Sequence, residues 1–319
     1  MVAAGHEHAG DHRSEELFIP MTVHGDRSPL AFGCPARRPQ KGSAYRRAST
    51  MGTVGIFTGR GGSGTRLLSQ LATDAGVFLG NQVNHSGDSV EWVDLIYRMV
   101  VETAGQRDLP TGSRYRRELR AQAERTLGTA RRCDASVWGL KLPETMLVLS
   151  LLIDAFPEAR VIHLTRHPVS VSLRRTHMTS RLGNPVGDVT LPGAYRYVGR
   201  DPSAIPTDEP YLHNAYAWNF QVTRVIDYGR EALGAAQYLE MAYEDACAEP
   251  LQALAMVRSF LGCGDSQAGA STRVDPARTG AWDAADARVQ AIWAICGETA
   301  GRLGYASDPD ASQVAPPIG

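Results

Sequence analysis

A short apolar strand that runs directly into a glycine loop and then a helix constrains this chain more than any other stretch. Val54, Ile56 and Phe57 supply the strand, Gly61, Gly62 and Gly64 crowd the turn, and TRLLSQLATDAG continues with helical spacing from Thr65. Glycines let the backbone turn its N–H groups inward and let an anion approach closely, and the opening helix adds its positive end. A phosphate or sulfate is the natural guest, with Arg60, Ser63, Thr65 and Arg66 around it.

The loop stops short of the ATP-binding P-loop. Gly59 and Gly64 are separated by four residues as that pattern requires, but Thr65 and Arg66 follow where it needs Lys and then Ser or Thr. The magnesium ligand is missing, which suits a nucleotide whose transferred group needs no metal. A kinase or NTPase with an altered loop stays open as an alternative.

A second anion site is expected where Ala159–Thr165, a buried-type strand, ends in Arg166 and Pro168 opens a helix. Ligands of open parallel sheets bind outside the carboxyl ends of the strands, so Arg166 and the glycine loop should face one crevice. Lys141 stands out by composition. Only two of the thirty-three basic residues are lysines, and the other, Lys41, lies near the N-terminus.

In order, these segments resemble the sulfotransferases that use 3′-phosphoadenosine-5′-phosphosulfate (PAPS). Gly62-Ser63-Gly64-Thr65-Arg66 overlays their 5′-phosphosulfate loop, with Gly62 where a basic residue is usual, so Arg60 or a cation from elsewhere must substitute. The strand, Arg-x-Pro, helix run at Arg166 matches their 3′-phosphate segment. There a serine eight residues beyond the arginine completes the site; here that position is Arg174, with Ser170 and Ser172 nearby, so either a second guanidinium or a serine one turn earlier grips the phosphate. The Lys-x-Pro at Lys141 also recurs in relatives, where the ammonium approaches the sulfuryl group, a role that suits a compact cation. The segment past the loop lines the acceptor pocket in that family and can carry the base; His85, Asp88 and Glu91 are the candidates, Asp88 and Ser89 being equally able to start a helix. Tyr243-Glu244-Asp245 resembles the segment that closes the fold, its acids reading as structural.

The resemblance implies a three-layer α/β/α architecture with a central parallel sheet, P-loop-like in its first turn. It implies metal-free, in-line transfer of the sulfuryl group of PAPS to a hydroxyl or amine of a small-molecule, carbohydrate or peptide acceptor. The loop from Arg60 through Gly61, Gly62, Ser63, Gly64 and Thr65 to Arg66 would hold the phosphosulfate, Arg166 with Arg174 the 3′-phosphate, and Lys141, Asp88 and His85 the chemistry. Gly62 keeps a second alternative open, a nucleotide-binding relative without catalysis.

Composition bounds the rest. The 319 residues carry 43% hydrophobic side chains and a net charge of −1, which argues against bulk attraction to nucleic acid or membranes. No apolar run approaches eighteen residues and no hydrophobic signal region opens the chain, so a cytoplasmic protein is expected. Cys34, Cys133, Cys247, Cys263 and Cys296 show no C-x-x-C spacing and read as reduced thiols without a zinc site. Residues 1–50 read as a disordered leader, 51–305 as the sulfotransferase domain and 306–319 as a flexible tail; His6, His8 and His12 read as part of a polar leader rather than a metal site. Arg114–Arg132 reads as an exposed amphipathic helix, and residues 176–215 as a long loop over the acceptor cleft, with His177 and Arg181 in capping or packing roles. Oligomeric state is open.

Overall fold

The computed structural model describes residues 52–103, 113–130, 135–264 and 282–307, all within a unit spanning Lys41–Gly319. The leader with His6, His8, His12 and Lys41, together with Cys34, Cys133 and the tail beyond residue 307, lies outside the described residues. Four strands, β1 (Thr53–Thr58), β2 (Val137–Lys141), β3 (Arg160–Thr165) and β4 (Tyr238–Ala242), form one parallel sheet in the order β2-β1-β3-β4. The chain leaves β1 toward β2 on one side and later returns to place β3 on the other. Strand order therefore reverses at β1, and the crevice beyond the ends of β1 and β3 is where such a sheet takes a ligand.

Period-two alternation divides the sheet between two cores. Val54, Ile56, Trp138, Leu140 and Val161 face one, packed by α2 (Val93–Thr103), α3 (Ser113–Ala130), α4 (Leu149–Ala155), α5 (Pro168–Ser172), α6 (Pro185–Tyr197), α7 (Pro210–Tyr228) and α10 (Ala287–Arg302). Phe57, Val137, Ile162, Leu164 and Met241 face the other, against α1 (Thr65–Asp74), α8 (Tyr243–Ala248) and α9 (Pro250–Leu261). Helices cover both faces, giving the three layers expected. Gly55 and Gly139 are paired across β1 and β2, and the Phe57 ring folds over both: a Cβ on Gly55 would lie 2.7 Å from that ring.

The long loop expected over residues 176–215 is a correction. Asn184 accepts hydrogen bonds from the N–H groups of Val186 and Gly187, Pro185 occupies the first turn, and α6 follows; Pro202–Ala204 adds a short helical turn before α7. Cap chemistry outweighed the Gly and Pro content that suggested a loop. No helix among the described residues is long and apolar enough to cross a membrane.

His163 sits fully buried in β3, its Nδ1 2.8 Å from the Tyr238 hydroxyl, and burial holds its pKa down at about 4. His167 is likewise held at about 4, chiefly by burial. The unfolded chain protonates these rings near pH 6.5, so stability is full above that value and falls as pH drops toward 4. Each ring weakens the folding equilibrium by up to about tenfold per pH unit in that window. Urea melts between pH 7.5 and 4 should show this slope, and His163→Gln should make it shallower by about one proton.

Candidate active site

Three turns meet at the carboxyl end of the sheet. The first follows β1. Gly62 and Gly64 have φ of 93° and 89°, so both occupy the left-handed region that strains any side chain, and Gly64 caps α1 without a side-chain bond. A Cβ on Gly61 would lie 2.5 Å from the His177 ring and one on Gly64 2.2 Å from the Tyr243 ring. Glycine is therefore demanded twice at the loop, by backbone conformation and by close neighbours. At the φ of 93° that position 62 adopts, a lysine or arginine would be strained.

Arg60 is buried and turned inward. Its Nη1 donates to the Gly61 carbonyl (2.6 Å), and its Nη2 donates to Asn214 Oδ1 (2.8 Å) and Ser180 Oγ (3.3 Å). Burial lowers its pKa to about 10, which leaves the guanidinium charged. It braces the loop and supplies positive charge from beneath. Ser63 is also buried, yet its Oγ has no hydrogen-bond partner among the described residues. A buried hydroxyl without a partner costs free energy unless a ligand supplies one, so the cradle fits an anionic oxygen at this point. Thr65 is buried at the start of α1, and Arg66 beside it is exposed.

The second turn follows β3. Arg166 is almost fully buried, with its guanidinium carbon over the Tyr243 ring at 4.2 Å and its carbonyl accepting from Trp218 Nε1 at 3.1 Å. Burial, and then nearby Arg174, lower its proton affinity. Arg174 is exposed two residues beyond α5, while Ser170 and Ser172 are buried in that helix, Ser172 Oγ without a hydrogen-bond partner among the described residues. Arg166 and Gly64 thus contact the same tyrosine ring, so the two anion-type segments lie side by side.

The third turn joins β2 to residues 84–89. Ser89 Oγ accepts from the Lys141 N–H (3.0 Å) and donates to the Leu79 carbonyl (2.6 Å), while the Ser89 N–H donates to the Lys141 carbonyl (2.9 Å). This stitching brings Lys141 Nζ to Asp88 Oδ1 at 2.6 Å and to the Ser86 carbonyl at 2.9 Å. Asp88 does not cap a helix with its side chain; it pairs with the chain's second lysine. Burial lowers the proton affinity of Lys141, Asp88 and Glu144 oppose that, and Arg66 adds to it. His85 lies exposed, its Nε2 3.3 Å from Ser86 Oγ. Glu91 is turned elsewhere, accepting from Asn81 and Thr126.

Glu144 has no place in the sequence reading, and His177 stands there only in a capping or packing role. Glu144, two residues past Leu142 in the Lys-x-Pro segment, is buried with Oε1 4.0 Å from His177 Nδ1. His177 lies against Gly61, and burial followed by Arg60 drops its pKa to about 4, so its ring is neutral at pH 7. The carboxylate directly after Lys-x-Pro was the available signal for Glu144; for His177 nothing in the sequence signals its contact with Gly61.

Because the Ser63 hydroxyl has no hydrogen-bond partner among the described residues, Ser63→Ala should leave the melting temperature unchanged or slightly raised. Affinity for a phosphate-bearing ligand should fall about tenfold, the size of one hydrogen bond to a charged group. Loss of stability without loss of affinity would mean that the hydroxyl serves the fold.

A model of the sulfotransferase family matches residues 59–267, which takes in all three turns. The omega-hydroxy-beta-dihydromenaquinone-9 sulfotransferases Stf3 of Mycobacterium bovis and Mycobacterium tuberculosis are each 27% identical over 126 residues. That stretch is 40% of this chain and spans 29% of those relatives' length. Among solved structures, sulfotransferase STF9 from Mycobacterium avium is similar with a TM-score of 0.45 and 14% identity, covering 80% of this chain and 77% of that one. The sulfotransferase domain of the Synechococcus PCC 7002 olefin synthase has a TM-score of 0.39 and 16% identity, covering 87% and 94%.

Proposed function

The chain belongs to the sulfotransferase family, and from that premise we propose that it transfers the sulfuryl group of PAPS to a hydroxyl or amine of a small-molecule, carbohydrate or peptide acceptor. The observation that carries this reading is the pair of adjoining anion-type turns, the Ser63 loop and Arg166, in contact with one tyrosine ring. A nucleotide charged at both its 5′ and 3′ positions matches two such turns. Bound there, PAPS supplies sulfur for in-line attack, the acceptor oxygen or nitrogen forming the new bond to sulfur as the bond to the 5′-phosphate oxygen breaks.

The chain's own groups divide the work. Gly61, Gly62, Gly64, Thr65 and the first turn of α1 offer N–H groups to the phosphosulfate, Ser63 its hydroxyl, and Arg66 charge at the rim. Arg60 contributes its charge from below. Arg166 with Arg174 takes the 3′-phosphate, a dianion that offsets the mutual repulsion of two neighbouring guanidiniums. Lys141 fills the place that Gly62 leaves vacant and neutralises charge developing on the bridging or sulfuryl oxygens. Asp88 takes the acceptor proton when Lys141 turns from it toward the donor, and His85 is the second candidate for that proton. The relatives named for an omega-hydroxy substrate support a hydroxyl as acceptor.

Thermal-shift and calorimetric titration with adenosine 3′,5′-bisphosphate, and with ATP in the presence and absence of magnesium, test the donor. The bisphosphate should bind without metal. Stabilisation by ATP with magnesium alone would instead identify a kinase or NTPase. Lys141→Ala should lower transfer from PAPS by about a hundredfold or more, the usual cost of a group that stabilises developing charge, while bisphosphate affinity changes only a few-fold. Tight binding with no transfer to any acceptor tried, and no effect of Lys141→Ala, would identify a binding protein.

A further inference from the structure

Two turns can recognise one ligand only if their separation is fixed, and here one side chain spans them. The Tyr243 ring presents its Cδ2–Cε2 edge to Gly64, close enough that a Cβ there would lie 2.2 Å away, and its face to the Arg166 guanidinium at 4.2 Å. Gly64 is the residue from which α1 starts, and Arg166 is the residue immediately after β3. The residues next in sequence are tied as well: the His167 N–H donates to Glu244 Oε1 (3.1 Å), and the Tyr305 hydroxyl donates to Glu244 Oε2 (3.0 Å) while lying 3.2 Å from Thr165 Oγ1. The His167 ring stacks on Trp282 at 4.3 Å between centroids. Tyr243 is thus held in place through its own neighbour and has little room to tilt.

From this arrangement we infer that Tyr243 is a specificity-determining residue, a rigid spacer that sets the distance between the phosphate loop and Arg166 and thereby selects adenylates carrying a 3′-phosphate. This rests on the donor reading above. The ring does two things at once. Its face supplies a cation–π contact that aims the buried guanidinium, and its edge stops the glycine loop from collapsing toward β3. A side chain of similar volume without an aromatic face would fill the space yet leave Arg166 unaimed. Glu244, a first-turn acid of its own helix, also ties the turn after β3 to Tyr305.

Calorimetric binding of adenosine 3′,5′-bisphosphate and adenosine 5′-monophosphate to the full chain reads this selectivity as a ratio of affinities. The wild type should favour the bisphosphate. Tyr243→Phe, which keeps the ring and loses only the hydroxyl, should retain that ratio. Tyr243→Leu should cut it about tenfold, with most of the loss on the bisphosphate and little on the monophosphate. If the leucine variant does not fold, Tyr243→Met, long and unbranched, carries the same expectation. A leucine or methionine variant that preserves the ratio, or loses both ligands equally, overturns the assignment of Tyr243 and leaves the donor reading standing. A wild type that does not distinguish the two nucleotides overturns the donor reading and the inference together.

Discussion

The separation between the turn after β1 and the turn after β3 is the constraint on which the rest of the site depends. Parallel pairing of the two strands puts both turns at the same end of the sheet, with Thr58 opposite His163. Pairing alone leaves the loops beyond the strands undefined. Helix α7 supplies the missing fixation from behind: Asn214 accepts from Arg60 of the first turn and donates to the carbonyls of Ser172 and Arg174 beyond the second, both at 3.0 Å. One helical turn later Trp218 holds the Arg166 carbonyl. These two residues are buried and project from one face of α7, as an i, i+4 pair must.

Positive charge is concentrated at the site. Arg166 and Lys141 both have their proton affinities lowered, chiefly by burial and further by a neighbouring guanidinium, Arg174 for the first and Arg66 for the second. Lys141 is relieved in part by Asp88, which is why the two lie at 2.6 Å. Such a pair is a resting arrangement that a bound anionic group can rearrange, since a compact ammonium reorients about its stem more freely than a planar guanidinium. Burial, and then Arg60, keep His177 neutral beside the glycine loop.

Much of this was legible in the sequence, because local chemistry dictated it. Three glycines after an apolar strand, an arginine between a buried strand and a helix-opening proline, and a solitary lysine before another proline all marked strand ends, where an α/β sheet puts its ligands. What escaped was non-local. Nothing around Tyr243 shows that its ring lies between Gly64 and Arg166, 179 and 77 positions away along the chain, and Asn214 reads only as the first turn of an amphipathic helix. Arg60 looked like a loop cation, whereas its partners, Ser180 and Asn214, turn it into the interior. The segment 176–215 misled because glycine and proline punctuate helices as well as loops, and only the cap bond of Asn184 distinguishes the two.

The most direct measurement of the central claim is a crystal structure with adenosine 3′,5′-bisphosphate. The account predicts the 5′-phosphate within hydrogen-bond distance of Ser63 Oγ and the loop N–H groups, and the 3′-phosphate on the Arg166 guanidinium, with Tyr243 between them. A nucleotide seated with only one phosphate in this crevice, or bound elsewhere on the molecule, would contradict it.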